Sequence, residues 1–201
     1  MVYRQVLEWP NETLKKVSRD LDIEKDINIT KDLLDTFKVT GGFGLSAPQI
    51  GFNVRAIVIN ESALNNCESF QKELLMINPV ILKKEEDASF EEACFSVPGY
   101  SFDIERSSKV KVEWLNLTGE KESKWFNNYS SACVQHEIDH LNGILIVDKL
   151  SQLRKSMIIK KVKKDKLSRI KQLGLSKEEK SKRKSIKTRK NNRKNRKKNK
   201  K

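Results

Sequence analysis

Gln135-His136-Glu137-Ile138-Asp139-His140 holds both histidines of a 201-residue chain. On a helix of about 3.6 residues per turn, positions 136 and 140 stand about 40° apart, so both imidazoles leave one face a turn apart. Two imidazoles so placed can grip one metal ion, and the glutamate after the first can reach the ion's water. The stretch therefore reads as a helix in a metal-dependent hydrolase, and it needs a third ligand. No further histidine exists, and the downstream region is rich in lysine. Upstream stands Cys94, in what reads as an apolar-flanked strand, where a thiolate would be costly without a cation. One cysteine and two histidines leave a fourth position open, which is the plan of a catalytic site.

The pattern around this stretch sets the fold. Helical periodicity begins near Tyr129, with Ser130 or Ser131 as cap and Asn142-Gly143 as stop. Ile144 to Val147 reads as a short strand, and Asp148 as the cap of a last helix. In that helix Leu150, Leu153 and Met157 form a docking stripe from which Ile158, Ile159 and Val162 drift away. Upstream, Val54 to Ile59 is a buried strand and Val110 to Trp114 a half-exposed one, with another near Trp125-Phe126. Asn78-Pro79 divides Leu74 to Leu82 into two extended pieces, and Lys83 to Asp87 reads as a charged turn. Residues 61–73 read as a surface loop containing Cys67. Toward the N-terminus, Asn11 caps a helix through about Val17. Thr30 caps another over Lys31 to Lys38, stopped by Gly41-Gly42. Helices and strands do not alternate regularly. That order predicts an α+β fold, mostly antiparallel strands packed around a central helix carrying the HExxH motif, with a C-terminal helix and basic tail.

The overall charge of +14 suggests a nucleic-acid binder, but its distribution does not. Residues 151–201 hold 24 of the 41 Lys and Arg and 3 of the 27 Asp and Glu, a net of +21, leaving −7 for residues 1–150. A mildly acidic body with a strongly basic end points to an end that meets phosphate and a body with other work. Three cysteines without a Cys-x-x-Cys pattern fit a reducing compartment. With no apolar run approaching the roughly 18 residues of a membrane span and no signal peptide, the cytoplasm is expected.

Three segments together resemble the peptide deformylase family. Its first motif, Gly-φ-Gly-φ-Ala-Ala-Pro-Gln with φ apolar, matches Gly42-Phe43-Gly44-Leu45-Ser46-Ala47-Pro48-Gln49. Its second, Glu-Gly-Cys-φ-Ser, matches Glu92-Ala93-Cys94-Phe95-Ser96, and its third, Gln-His-Glu-φ-Asp-His, matches residues 135–140 throughout. Order and separation agree too, from about Arg4 into the last helix. The resemblance implies removal of the formyl group from the N-formylmethionine of new polypeptides. It implies that Cys94, His136 and His140 hold one divalent metal ion, Fe2+ in cells with Zn2+, Ni2+ or Co2+ as alternatives. Glu137 would move protons between the activated water and the leaving amine. The Gln49 amide and the Phe95 backbone N–H would stabilise the oxyanion. Gly44 and its neighbours would take the peptide as an added strand. Phe43, Phe95, Glu92, Ala132 and Cys133 would line the substrate site.

Two residues depart from the motifs. Ser46 replaces alanine, and its hydroxyl needs a partner if buried. Ala93 replaces glycine beside Cys94, which strains the loop if that position has positive φ and narrows the site if it does not. Three divisions are expected: a catalytic domain over 1–150, a basic helix over 151–174, and a disordered Lys/Arg-rich tail over 175–201. The helix and tail are expected to meet the ribosome and its RNA through phosphate contacts, since aromatics for base stacking are lacking. No membrane partner and a monomer are expected. Two other readings stay open: a metallopeptidase or amidase, and an RNA-binding protein whose structural metal takes Cys67 as fourth ligand.

Overall fold

The computed structural model describes residues 2–60, 73–169 and 171. The chain divides into two compact units, 1–150 and 151–201. The loop expected over 61–73, with Cys67, lies almost wholly outside the described residues, as does the end expected over 175–201.

The first unit is α+β. Helix α1 (Ile23–Thr40) precedes strands β1 (Gly44–Ser46), β2 (Ala56–Asn60), β3 (Glu73–Ala93), β4 (Ser101–Leu115) and β5 (Lys121–Asn127), and helix α2 (Asn128–Leu141) follows. The five strands form one antiparallel sheet in sequence order. α2 packs against all five strands. The core follows from the two-residue period of β2. Ala56 and Val58 meet α1 through Leu33 and Phe37, whereas Ile57 and Ile59 meet Val134, Ile138 and Leu141 of α2. All nine of these residues are buried. Each large aliphatic residue so buried contributes about 1.5–3 kcal/mol.

Several boundaries differ from the sequence reading. α1 begins at Ile23, capped by Asp22 accepting from the Lys25 N–H. Thr30 lies inside it, its hydroxyl donating to the Ile27 carbonyl at 2.8 Å, a bond that mimics a cap in sequence. Asn11 does cap, but a single 3-10 turn, Glu12–Lys15. β3 is one strand through Asn78-Pro79, because a register shift between Ile77 and Val80 absorbs the missing proline N–H. Asn78 takes φ +52° there. The charges from Lys83 to Asp87 stay in the strand, paired across to β4, with Lys109 holding Glu85 at 2.9 Å. Ser130 and Ser131 fall within the first turn of α2, whose cap is Asn127. Ile146–Lys149 is a 3-10 turn rather than a strand, and Asp148 accepts from the Leu145 N–H and pairs with Lys15 instead of capping a helix.

The second unit contains a helix over 152–169. Leu153 and Met157 are 74 % and 64 % exposed, so the expected stripe is not buried, while Val162 is. No helix among the described residues is long and apolar enough to cross a membrane.

Candidate metal centre

β3 and β4 are joined by a loop over 94–100, and Cys94 is its first residue, just past the strand rather than within it. Alternation along this segment turns Glu92, Cys94 and Ser96 inward. α2 presents His136 and His140 to the same place, with ring centroids 4.9 Å apart. One donor atom each from Cys94, His136 and His140 lies within 4.8 Å of the others, and all three residues are buried. The His140 Nε2 stands 3.3 Å from the Cys94 Sγ.

A chain of buried charges holds His136. Its Nδ1 lies 2.8 Å from Glu92 Oε2, and an ionised carboxylate only accepts, so Nδ1 carries the proton and leaves Nε2 free as a ligand. Arg106 donates to both Glu92 oxygens at 2.7 and 3.0 Å and to Asp139 at 2.5 Å. Lys149 completes the chain at 3.1 Å from Asp139. Burial alone would raise the Glu92 carboxyl, but His136 and Arg106 outweigh it and hold it below its usual range. Burial opposes a charge on His136, yet Cys94, Glu92 and Glu137 raise it well above an ordinary imidazole. His140 is pushed well below, by burial and by the positive charges of His136 and Arg106. One cysteine sulfur and two imidazole nitrogens grouped this closely fit a divalent cation.

Glu137 follows the first ligand on α2. Burial raises its carboxyl to about 7, against the pull of His136 and a hydrogen bond with Ser46. Its Oε2 is buried without a partner among the described residues. Gln49 approaches from the 3-10 turn Ala47–Ile50. Its Oε1 accepts from the Ser46 N–H at 2.9 Å and hydroxyl at 2.8 Å. Its Nε2 donates to Ser96 Oγ at 3.3 Å and faces Cys94 Sγ at 3.7 Å. The Ser46 hydroxyl therefore has its partner. Ala93 is not among the residues with positive φ, so its methyl sets the width of the site and adds no backbone strain.

These groups open on a cavity of about 700 Å³. Phe43, Gly44, Phe95, Glu92, Ala132 and Cys133 all line it, with Gln49, Cys94, His136 and Glu137, while His140 lies behind the wall. Glu92 is on that wall, but its two oxygens are already engaged by Arg106 and His136. Gly44 is a close approach: a Cβ there would stand 2.6 Å from Glu137 Oε1 and 2.9 Å from Cys133 Sγ. Burial and the charges of Glu137 and Glu92 keep the Cys133 thiol protonated, and it donates to the Phe43 carbonyl at 3.4 Å. Sequence reasoning missed Arg106, Asp139, Ser96 and the aromatic rim of Tyr100 and Tyr129. Arg106 left one trace: two residues on from inward Ile104, it takes an inward position on β4, where an arginine needs a buried anion.

The model of the polypeptide deformylase family matches residues 3–156. A peptide deformylase of Pelagibacter ubique is 38% identical over 173 residues, covering 85% of this chain and 99% of its own. The crystal structure of a Legionella pneumophila peptide deformylase superposes with a TM-score of 0.75 at 33% identity, covering 85% of this chain and 98% of its own. A Met-Ala-Ser-bound peptide deformylase of Acinetobacter baumannii gives 0.66 at 29% identity, covering 74% and 99%. With a family match over most of the chain and relatives spanned nearly end to end, this chain belongs to the polypeptide deformylase family.

Proposed function

We propose that the chain removes the formyl group from N-formylmethionyl peptides as they are made, releasing formate. The observation that carries this is the convergence of Cys94, His136, Glu137 and the Gln49 amide on one cavity, with His140 grouped behind its wall beside Cys94 and His136. The three ligands would hold a divalent cation, which supplies Lewis-acid polarisation and a water of lowered pKa. Glu137 takes a proton on its carboxylate and delivers it to the departing amine; a carboxyl held near 7 can do both. The Gln49 Nε2 and the Phe95 backbone N–H donate to the formyl oxygen as it gains charge. β1 ends the sheet, so the peptide can add alongside it near Gly44. Phe43, Phe95, Ala132 and Cys133 then surround the methionine side chain. Glu92 acts one step back, fixing the tautomer of His136.

Ferrous iron is the proposed resident ion in cells, with zinc, nickel or cobalt able to replace it. The relative bound to Met-Ala-Ser supports a tripeptide probe. Metal-loaded protein should release formate from formyl-Met-Ala-Ser; no release with any of the four metals would overturn the activity. Unformylated Met-Ala-Ser should remain uncut, and its cleavage would favour a peptidase instead. The helix over 152–169 carries eight Lys and Arg against Asp165, and we propose that it and the basic residues after it bring the enzyme, as a cytoplasmic monomer, to ribosomal RNA. Co-sedimentation with ribosomes that survives removal of residues 175–201 would confine docking to the helix.

A further inference from the structure

We propose that Ser46 is a positioning residue that fixes which end of the Gln49 amide faces the reacting carbonyl. The kinetic consequence rests on the deformylase reading above; the geometry does not. The two ends of a glutamine amide have nearly the same shape, so only the hydrogen-bond network decides their order. Here the Ser46 N–H decides the order. Oε1 faces two donors of Ser46, its N–H at 2.9 Å and its hydroxyl at 2.8 Å. Nε2 has two hydrogens, one for Ser96 Oγ at 3.3 Å and one turned toward Cys94 Sγ at 3.7 Å, on the cavity side. The reverse order would set an NH2 against the Ser46 N–H, which cannot accept, and a carbonyl oxygen against the cysteine sulfur.

Ser46 and Gln49 are 0 % and 1 % exposed, so water cannot substitute for either partner. Alanine, which the family motif carries at this position, would leave the backbone N–H as sole donor to Oε1. The hydroxyl adds a second lock, and it also reaches the Glu137 carboxyl. It has one proton for these two acceptors, so the test must separate them.

The full-length, metal-loaded chain is compared as wild type, Ser46→Ala and Ser46→Thr, each also in a Gln49→Leu background, on formyl-Met-Ala-Ser. Loss of one net hydrogen bond predicts that Ser46→Ala lowers kcat about fivefold with KM unchanged. Ser46→Thr, which keeps the hydroxyl, should restore most of it. In the Gln49→Leu background Ser46→Ala should cost nothing further. Equal losses in both backgrounds would place the hydroxyl's work on Glu137 and overturn the proposal. A second readout needs no turnover. Among the six glutamines, the side-chain amide resonances of Gln49 are those lost in Gln49→Leu. They should shift and exchange faster in Ser46→Ala and return in Ser46→Thr. Unchanged resonances in Ser46→Ala refute the lock even if the chain releases no formate, an outcome that would overturn the deformylase reading separately.

Discussion

Among the described residues, Glu137 Oε2 and His140 Nδ1 are the buried atoms of this site without a hydrogen-bond partner. Glu137→Gln should retain metal, measured by elemental analysis, and lose formate release by about 10²- to 10⁴-fold, the usual worth of a general acid–base group. The same residue predicts a pH effect on the metal-free protein. Its folded pKa of about 7 lies above the ordinary 4.5, so between these values the folded state binds more protons than the unfolded one. Its contribution to stability is full below about pH 4.5 and is lost as pH rises through 7. In metal-free protein, Glu137→Gln should therefore flatten the fall in melting temperature between pH 5 and pH 8. Arg106→Leu should cost about 3–5 kcal/mol in denaturant unfolding, because it takes both guanidinium bonds from buried Glu92 and leaves Asp139 with Lys149 alone. The grouping of Cys94, His136 and His140 was legible because their residue types are scarce: two histidines and three cysteines in the chain. Arg106 is one of 41 Lys and Arg, and only its inward parity on β4 marks it out.

β1 and α2 approach so closely at Gly44 that the contact has no room for a methyl group. Gly44→Ala should push the strand from the helix and misplace Glu137, costing about a hundredfold in turnover while metal content persists. Thermal unfolding should show the fold retained. Elements were legible wherever one face is buried: β2, the middle of β4 and α2 carry the periods that their surroundings demand. They were not legible where pairing overrode local chemistry. Lys83 to Asp87 resembles a turn by composition, yet it remains a strand because β4 supplies matching partners, Lys109 and Ser107 among them. Thr30 resembled a cap because a threonine hydroxyl bonds backward inside a helix as readily as it caps one. The polar residues Ser131 and Gln135 were also ambiguous. Both donate to the Ser107 carbonyl at 2.7 Å and so tie α2 to β4.

The whole molecule pairs a body of net −7 with an end of net +21. If that end meets RNA phosphate, affinity for ribosomes should fall steeply with salt. Neutralising roughly six phosphates loses about a thousandfold between 50 and 200 mM salt on the duplex-DNA scale. Sedimentation at two ionic strengths measures this, and a flat response would leave the charge as a solubilising device. Catalysis on the free tripeptide should change little across the same range, since Cys94, His136, His140 and Glu137 are all buried.

The segment Glu92 to Ser96 separates two kinds of evolutionary freedom by parity. Its even positions serve the two other motifs: Glu92 reaches His136, Cys94 stands against His140, and Ser96 meets Gln49. Its odd positions, Ala93 and Phe95, face the cavity and are solvent-exposed. Substitution at 93 or 95 can retune which peptides fit without disturbing Glu92, Cys94 or Ser96. A one-residue insertion or deletion would exchange the two sets and lose both. Changes of peptide preference arising here should therefore come by point changes at odd positions, never by a change of length.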